Sequence, residues 1–276
     1  MDYLKPAEVV ATMIESGTRK AGLSVPDLLV RGALSGAILG IATSLAITAS
    51  VQTGVALVGA LIFPVGFVMI VLLNLELVTG SFAVLPMAQM DGAIRFAPVL
   101  RNWAWAFVGN LVGSLVYAVM AWGALTMFGE TPGGPVGDRI VAIADAKTLG
   151  YAAHGGAGWA TAFVKAMLCN WMVCMGVVMS VVAQSTVSKI AAAWLPIFIF
   201  FALGYEHAVV NMFVIPAGML LGAKTNSASW WLWNQIPVTL GNLAGGFLFT
   251  GLALFATYRK RGAKTEPVRE VVRAIS

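Results

Sequence analysis

Two ionisable residues stand side by side in an otherwise apolar stretch, LGYEHAVVNMF at 203–213. They are Glu206 and His207. An ionisable side chain inside a membrane span is costly and marks a functional site by default. An imidazole, with an ordinary pKa of about 6.5, exchanges protons near neutrality. We therefore expect His207 to act on a substrate or on a proton.

The composition indicates an integral membrane protein. Of 276 residues, 59% are hydrophobic and only 11% are charged, too few charges to cover a soluble domain of this size. Four stretches contain no Asp, Glu, Lys or Arg: 32–75, 102–129, 166–188 and 225–258. Each is long enough for a helix to cross the bilayer, which takes about 20 apolar residues.

Six spans are predicted, near 28–49, 55–90, 99–128, 161–184, 190–222 and 231–258. Thirteen of the 17 Lys and Arg residues fall on the side of the two termini, which predicts that both termini are cytoplasmic. Residues 1–27 then form a cytoplasmic amphipathic segment without a cleavable signal, and 259–276 a basic cytoplasmic tail. The net charge of +5 reflects this orientation and not nucleic-acid binding.

The second and fifth spans are too long for straight helices. Residues 55–90 and 190–222 would extend about 50 Å at 1.5 Å per residue. Both contain Pro, Gly and an ionisable residue in their interior. A helix interrupted at mid-depth accounts for all three features.

The two halves of the chain resemble each other. GNLVGSL at 109–115 matches GNLAGGF at 241–247. In the same order, Pro64, Glu76 and Pro86 match Pro196, Glu206 and Pro216. Because each half holds three spans, we predict two inverted repeats whose interrupted helices meet at the midplane, the architecture of membrane transport proteins.

The matched glutamates and the unmatched histidine suggest different roles. Glu76 and Glu206 are expected to accept hydrogen bonds from the amides freed at each interruption, the alternative being direct contact with substrate. Leu77 stands where the second half has His207. Arg31 and Lys165 both open the first span of their half. They either attract anions to opposite mouths or simply snorkel to the interface.

Catalytic and metal-binding patterns are missing from the predicted spans. No Ser/His/Asp set, paired acid cluster or metal-ligand spacing occurs there. The two cysteines, Cys169 and Cys174, lie in one span and are interpreted as small buried hydrophobes. We expect no enzyme activity, no metal and no cofactor.

Three long motifs, with a fourth at the end of the chain, resemble those of the formate/nitrite transporter family. They are ELVTGSF at 76–82, KAMLCNWMVCMGVVMS at 165–180, GYEHAVVNMFVIP at 204–216 and PVTLGNLAGG at 237–246. The resemblance implies an aquaporin-like protomer in the bacterial inner membrane and a homopentamer with one pore per protomer. It also implies transport of formate or nitrite, with hydrosulfide, lactate or bicarbonate as substrates in some branches.

The same resemblance assigns residues. It implies that His207 is the central pore histidine, with the Thr79 hydroxyl and Asn170 beside it. It implies two constrictions, a cytoplasmic one of Phe67, Leu77 and Val78 and an outer one of Phe63 and Phe200. The family often has an aromatic residue where Val78 stands and a leucine where Phe67 stands, so the large and small side chains are exchanged here. The segment TGSFAVLPMA at 79–88 also differs from the version familiar in nitrite channels.

The expected mechanism is passage of a weak acid with help from the histidine. A bare anion is costly to desolvate, so His207 would donate a proton or a hydrogen bond to it, with protons and a small anion as partners in the bilayer. A passive channel and a proton symporter both fit this pattern. A water or ammonia channel is less well matched, because the twin Asn-Pro-Ala signature and a second pore histidine are absent.

Overall fold

The computed structural model describes residues 3–259, and these fold into an all-α protein. Its helices are α1 (Pro6–Ala21), α2 (Val25–Thr53), α3 (Ala56–Ile62), α4 (Pro64–Leu72), α5 (Val78–Met90), α6 (Phe96–Thr126), α7 (Gly134–Ala152), α8 (Gly155–Val182), α9 (Thr186–Ala202), α10 (Ala208–Leu220) and α11 (Ser227–Tyr258). Two π-helical turns lie within α11, at Trp231–Gln235 and Gly246–Leu252.

Four of these helices, α2, α6, α8 and α11, are long and apolar enough to cross a membrane. Their most apolar windows have mean hydropathies of 1.6 to 1.8. Large apolar side chains such as Leu34, Ile41 and Leu45 of α2 point outward and are exposed. An exposed apolar face on a long helix suits contact with lipid. These helices begin and end a few residues away from the predicted spans 28–49, 99–128, 161–184 and 231–258.

The two long predicted spans are interrupted. The stretch 55–90 divides into α3, α4 and α5, and the stretch 190–222 divides into α9 and α10. Asn74 (φ 50°) and Gly204 (φ 64°) take the left-handed conformation that ends a helix. The next helix starts after an extended residue, Leu77 (φ −113°, ψ 115°) in one case and His207 (φ −115°, ψ 120°) in the other.

Glycines bring the long helices together in pairs. A Cβ atom added to Gly32 of α2 would lie 3.0 Å from the Cα of Gly109 of α6. Gly241 of α11 is likewise pressed against the main chain of α8 at Phe163. The close approach matters for function, because it brings the asparagines that follow these glycines, in the GNL motifs, within reach of the interruptions.

Helices α1 and α7 lie at the two interruptions. The apolar face of α1, with Val9, Val10 and Met13, packs on α5 and α8. Helix α7 packs on α10 and α8. The predicted amphipathic N-terminal segment is therefore helical over most of its length. The predicted basic tail, 259–276, lies outside the described residues except for Arg259, which pairs with Asp91.

Candidate functional site

The two interruptions meet at a histidine and a threonine. Nε2 of His207 lies 3.1 Å from Oγ1 of Thr79, and both side chains are buried. Nδ1 of His207 accepts a hydrogen bond of 3.2 Å from the amide of Val210. Because an amide can only donate, Nδ1 carries no proton, and the neutral imidazole is protonated at Nε2. This site therefore presents an N–H donor to its surroundings.

Asparagines, and not the glutamates, satisfy the backbone at each interruption. Oδ1 of Asn110 accepts from the amide of Val78 (3.0 Å), while its Nδ2 donates to the carbonyls of Gly32 (2.9 Å) and Glu76 (2.8 Å). A carboxylate could not have done this, because the site needs an acceptor for one amide and donors for two carbonyls. The expectation that the Glu76 and Glu206 carboxylates accept the freed amides is thus wrong.

The second interruption repeats the same arrangement. Oδ1 of Asn242 accepts from the amide of Ala208 (2.8 Å), and its Nδ2 donates to the carbonyls of Ala166 (2.8 Å) and Glu206 (2.9 Å). Both asparagines belong to the repeated GNL sequence. The repeat was therefore the signal for this role, although sequence reasoning did not assign it.

Each glutamate carboxylate instead pairs with a lysine. Glu76 accepts from Nζ of Lys20 on α1, and Glu206 from Nζ of Lys147 on α7, each at 2.6 Å. Both carboxylates are buried, and a buried charge requires such a partner. Sequence reasoning missed these lysines because both lie outside the predicted spans.

Glu206 has further donors. The hydroxyl of Tyr151 donates to it at 2.7 Å and Nδ2 of Asn211 at 2.8 Å. Burial, together with the neighbouring Glu206 carboxylate, raises the pKa of the Tyr151 phenol, so the phenol stays protonated and keeps donating.

Asn170 links the two interruptions. Its Nδ2 donates to the carbonyl of Thr79 (3.0 Å) and to the carbonyl of Asn242 (2.6 Å). Asn242 in turn holds the main chain on both sides of His207. The structure thus places Asn170 behind Thr79, where its amide positions that residue.

Cavities approach the His207–Thr79 pair from both ends. The α1-side cavity, of about 520 Å³, is lined by Phe67 and Leu77 together with Arg19, Lys20 and Lys189. The α7-side cavity, of about 410 Å³, is lined by Phe200, His207, Asn211 and Lys147. A third cavity, of about 770 Å³, adjoins the α7-side cavity at Lys147 and is also lined by Lys165.

Aromatic rings cluster beside the histidine at the α7-side cavity. Phe63 is fully buried, stacks on Phe201 at 4.0 Å between ring centroids and meets Phe200 edge-on at 5.7 Å. The ring of Phe200 lies 5.8 Å from that of His207. Val78 is buried next to Leu77. These positions are compatible with the predicted constrictions, whose role stays a prediction.

The two basic residues predicted at the mouths differ in their surroundings. Lys165 lines the 770 Å³ cavity. Arg31 lines none of the three cavities described above. Its guanidinium lies 3.5 Å from a carboxylate oxygen of Asp27 on the exposed start of α2. At the α1 end, Arg19, Lys20 and Lys189 occupy the place that the sequence analysis gave to Arg31.

Interrupted apolar helices, a buried donor where they meet and cavities at both ends define a membrane channel or transporter. The chain belongs to the formate/nitrite transporter family: the model of that family, described as "Formate/nitrite transporter", matches residues 7–256. The members of this family are channels and transporters, not enzymes. The resemblance seen in the sequence motifs is confirmed.

Individual relatives support the same assignment. The formate channel BtFdhC of Bacillus thuringiensis is 33% identical over 95% of this chain and 98% of its own. A solved FNT family ion channel superposes with a TM-score of 0.79 at 26% identity, covering 91% of this chain and 98% of the other. A solved pentameric formate channel with formate bound superposes with a TM-score of 0.70 at 25% identity, covering 85% and 97%.

Proposed function

We propose that this protein is a membrane channel for small monovalent anions of weak acids, with formate as its first substrate and nitrite as the alternative. We choose formate because the relative BtFdhC is a formate channel and the similar solved pentameric channel has formate bound. Hydrosulfide, bicarbonate and lactate are further substrates open to the same site. By the same likeness the protein assembles as a homopentamer with one pore per protomer.

The proposed topology has six spans in two inverted halves. Four spans are α2, α6, α8 and α11, and the other two combine α3–α5 and α9–α10. Each composite span consists of short apolar helices, three in the first and two in the second, with an interruption that membranes tolerate where protein buries the open backbone. The excess of Lys and Arg on the side of the termini favours cytoplasmic termini. The bacterial inner membrane location follows from the family likeness.

One observation carries the proposal: His207 Nε2 and Thr79 Oγ1 meet at 3.1 Å between two cavities. Moving a bare anion past Phe63, Phe67 and Phe200 costs at least several kcal/mol, because apolar rings cannot replace its hydration. A donor at the midpoint offsets part of that cost. The Nε2–H group is the donor that the hydrogen bond from Val210 leaves facing Thr79.

His207 then acts through Nε2 alone. An arriving anion takes the hydrogen bond between His207 Nε2 and Thr79, and Thr79 reorients its hydroxyl toward the substrate. Transfer of a proton requires the doubly protonated ring, because a neutral imidazole that lost its Nε2 proton would become an imidazolate. The imidazolium then gives its Nε2 proton to the anion, the neutral acid passes the apolar rings, and the neutral imidazole is later reprotonated. A doubly protonated ring would have to give up the bond from the Val210 amide, since Nδ1 would then become a donor.

The lysines at both ends concentrate anions. Lys20, Lys147 and Arg19 are neutralised in part by Glu76, Glu206 and Glu15, whereas Lys189 and Lys165 add positive charge at the cavity walls. Clefts lined by one sign of charge raise the local concentration of the opposite ion. This effect increases the rate of entry and does not select among anions.

The test is uptake of formate into liposomes containing the purified protein, with the internal pH recorded from about pH 5 to pH 8. We expect His207→Ala to lower uptake by about 10²-fold, the size of effect typical of a lost proton donor. His207→Asn keeps a hydrogen-bond donor without an exchangeable proton, so it separates the two roles. His154→Ala, which removes the other histidine of the chain, is the matched control and leaves uptake unchanged.

Each outcome is informative. Unchanged uptake and unchanged pH dependence in His207→Ala would end the proposal that this imidazole assists passage. Full proton-coupled uptake in His207→Asn would show that desolvation of the substrate, and not proton donation, drives neutralisation. Rapid osmotic water flux without anion uptake would instead indicate a neutral-solute channel.

A further inference from the structure

The two lysine–glutamate pairs share several matched parts, but two donors to Glu206, Tyr151 and Asn211, have no counterpart bonded to Glu76 within the described residues. Around Glu206, Asn234 donates its Nδ2 to the carbonyl of Lys147 (3.0 Å). Asn211 bridges Glu206 and Asn234, because its Nδ2 donates both to Glu206 Oε2 (2.8 Å) and to Asn234 Oδ1 (2.8 Å). The amide group of Asn211 thus supplies two hydrogens to two buried acceptors.

The first half repeats this set around Glu76. Asn102 donates its Nδ2 to the carbonyl of Lys20 (3.0 Å), as Asn234 does to that of Lys147. Five residues after Glu76, where the second half has Asn211, stands Ser81. Its hydroxyl ends one bond from Cβ, whereas the amide nitrogen of an asparagine ends two bonds from it. Ser81 is therefore too short to form the bridge.

The consequence is visible in the hydrogen bonds. Three buried atoms around this position, Glu76 Oε2, Ser81 Oγ and Asn102 Oδ1, have no hydrogen-bond partner within residues 3–259. All three side chains are at most 1% exposed. Buried polar groups left without a partner are costly, and they usually bind an ordered water molecule.

We propose that a single bound water molecule takes the place of the Asn211 amide in the first half. It donates one hydrogen to the Glu76 carboxylate and the other to Asn102 Oδ1, and it accepts the hydroxyl hydrogen of Ser81. This gives three hydrogen bonds, the usual number for a buried water. The inference rests on the matched geometry of the two halves and does not depend on the proposed substrate.

Water fits this place better than a cation such as Na⁺. Three oxygen atoms, one from a carboxylate, would suit a hard cation. The ammonium of Lys20, however, already lies 2.6 Å from the same carboxylate and balances its charge. Lys20 and Gly80, the neighbour of Ser81, also line the α1-side cavity, which offers a route for water to enter.

The two lysine–glutamate pairs then differ in how easily they open, because one is bridged by the Asn211 amide and the other by a water molecule. Around Glu206 the bridge is part of the chain and cannot leave. Around Glu76 the bridge exchanges with the α1-side cavity, so the Lys20–Glu76 pair opens at lower cost. The α1 end is therefore the side on which a lysine is more readily released.

The test is a structure of the full-length protein at a resolution that shows ordered waters, together with reciprocal variants. We expect density within hydrogen-bond distance of Glu76, Ser81 and Asn102. Ser81→Asn should displace that density with its own amide and raise the melting temperature by roughly 2 °C. Asn211→Ser should create a new water between Glu206 and Asn234 and lower the melting temperature by a similar amount.

Controls decide between the alternatives. Ser114→Ala removes another buried hydroxyl without a partner, on α6 and outside this set, and should leave the density in place. Melting temperatures in sodium and in choline buffers should agree. A sodium-dependent rise that Ser81→Asn abolishes, with oxygen distances near 2.4 Å, would overturn the water in favour of a cation. A site without density in the wild type would overturn the proposal outright, even if Ser81→Asn fails to fold.

Discussion

The interruption at 73–77 and the interruption at 203–207 hold an open backbone at depth with the same device. Asn110 and Asn242 each accept one amide and donate to two carbonyls. The extended residues that precede α5 and α10 have nearly the same dihedral angles. One of them is Leu77 and the other is His207. The matched parts hold the backbone, and the proposed chemistry lies at the position where the halves differ.

The surroundings of the two glutamates differ as well. Glu206 receives hydrogen bonds from Lys147, Tyr151 and Asn211, whereas Lys20 is the protein partner found for Glu76 within the described residues. The more rigid set surrounds the interruption that carries the histidine. The proposed donor role of His207 would gain from such fixed positioning, because small misplacements of a reacting group are costly.

The largest effect is expected from removing the better-connected carboxylate. Glu206→Ala leaves a partly buried ammonium, a phenol and a buried amide without their acceptor, which should cost about 3–5 kcal/mol of unfolding free energy. Glu76→Ala should cost less, about 1–3 kcal/mol, because it strands mainly Lys20. Equilibrium unfolding in mixed micelles measures both. Equal losses would show that the extra donors to Glu206 add nothing to stability.

Replacing either of the two asparagines at the interruptions should lower the stability of the protein equally, but the two replacements should differ in their effect on transport. Asn110→Ala and Asn242→Ala each strand one buried amide and two carbonyls, so each should cost about 3 kcal/mol. Asn242 holds the residues on both sides of His207, and formate uptake should therefore fall much further in Asn242→Ala. Parallel unfolding and uptake measurements check this. A similar fall in both variants would mean that the two interruptions contribute alike to transport.

Sequence reasoning located the interruptions because they follow from covalent and solvation limits. Pro64, Pro86 and their counterparts, together with glutamates in spans of excess length, leave few other interpretations. The family and the meeting of His207 with Thr79 followed from motifs. The α-helical class and the interrupted helices are confirmed in the described residues, while the inverted arrangement stays a proposal.

The partners of the glutamates could not be predicted in the same way. Lys20 and Lys147 are far from Glu76 and Glu206 in sequence and lie on helices outside the spans, so no local pattern links them. The error about the freed amides had another cause. We assigned the role to the carboxylates because they are charged, although of the two groups only a carboxamide can both accept and donate hydrogen bonds. For Arg31 the sequence left anion attraction and snorkelling as alternatives, because a position along the sequence does not say which way a side chain points around the helix.

A smaller loss of stability is expected when one of the extra donors to Glu206 is removed, which makes its hydrogen bonding more like that of Glu76. Tyr151→Phe removes one donor to the Glu206 carboxylate, which should cost about 1.5–2 kcal/mol because the acceptor is charged. Since the pKa of this phenol is raised, the wild-type protein should keep the bond well into the alkaline range, and the cost should be constant from about pH 6 to pH 9. Unfolding measured across that range, with Tyr117→Phe on α6 as control, tests it. A cost that disappears as pH rises would mean that the phenol ionises.

The smallest effect is expected at Arg31. This residue and Lys165 hold matching places in the sequence, yet only Lys165 lines one of the three cavities. Arg31 contacts the exposed Asp27, and an exposed pair of this kind adds little to stability. Arg31→Gln should change the melting temperature by less than about 1 °C and leave formate uptake unchanged even at low salt. Lys165→Gln should lower uptake at low salt, since electrostatic attraction is screened as salt is added. If Arg31→Gln slowed uptake in a salt-dependent manner, the guanidinium would belong to the anion entrance despite its position on the outer face of α2.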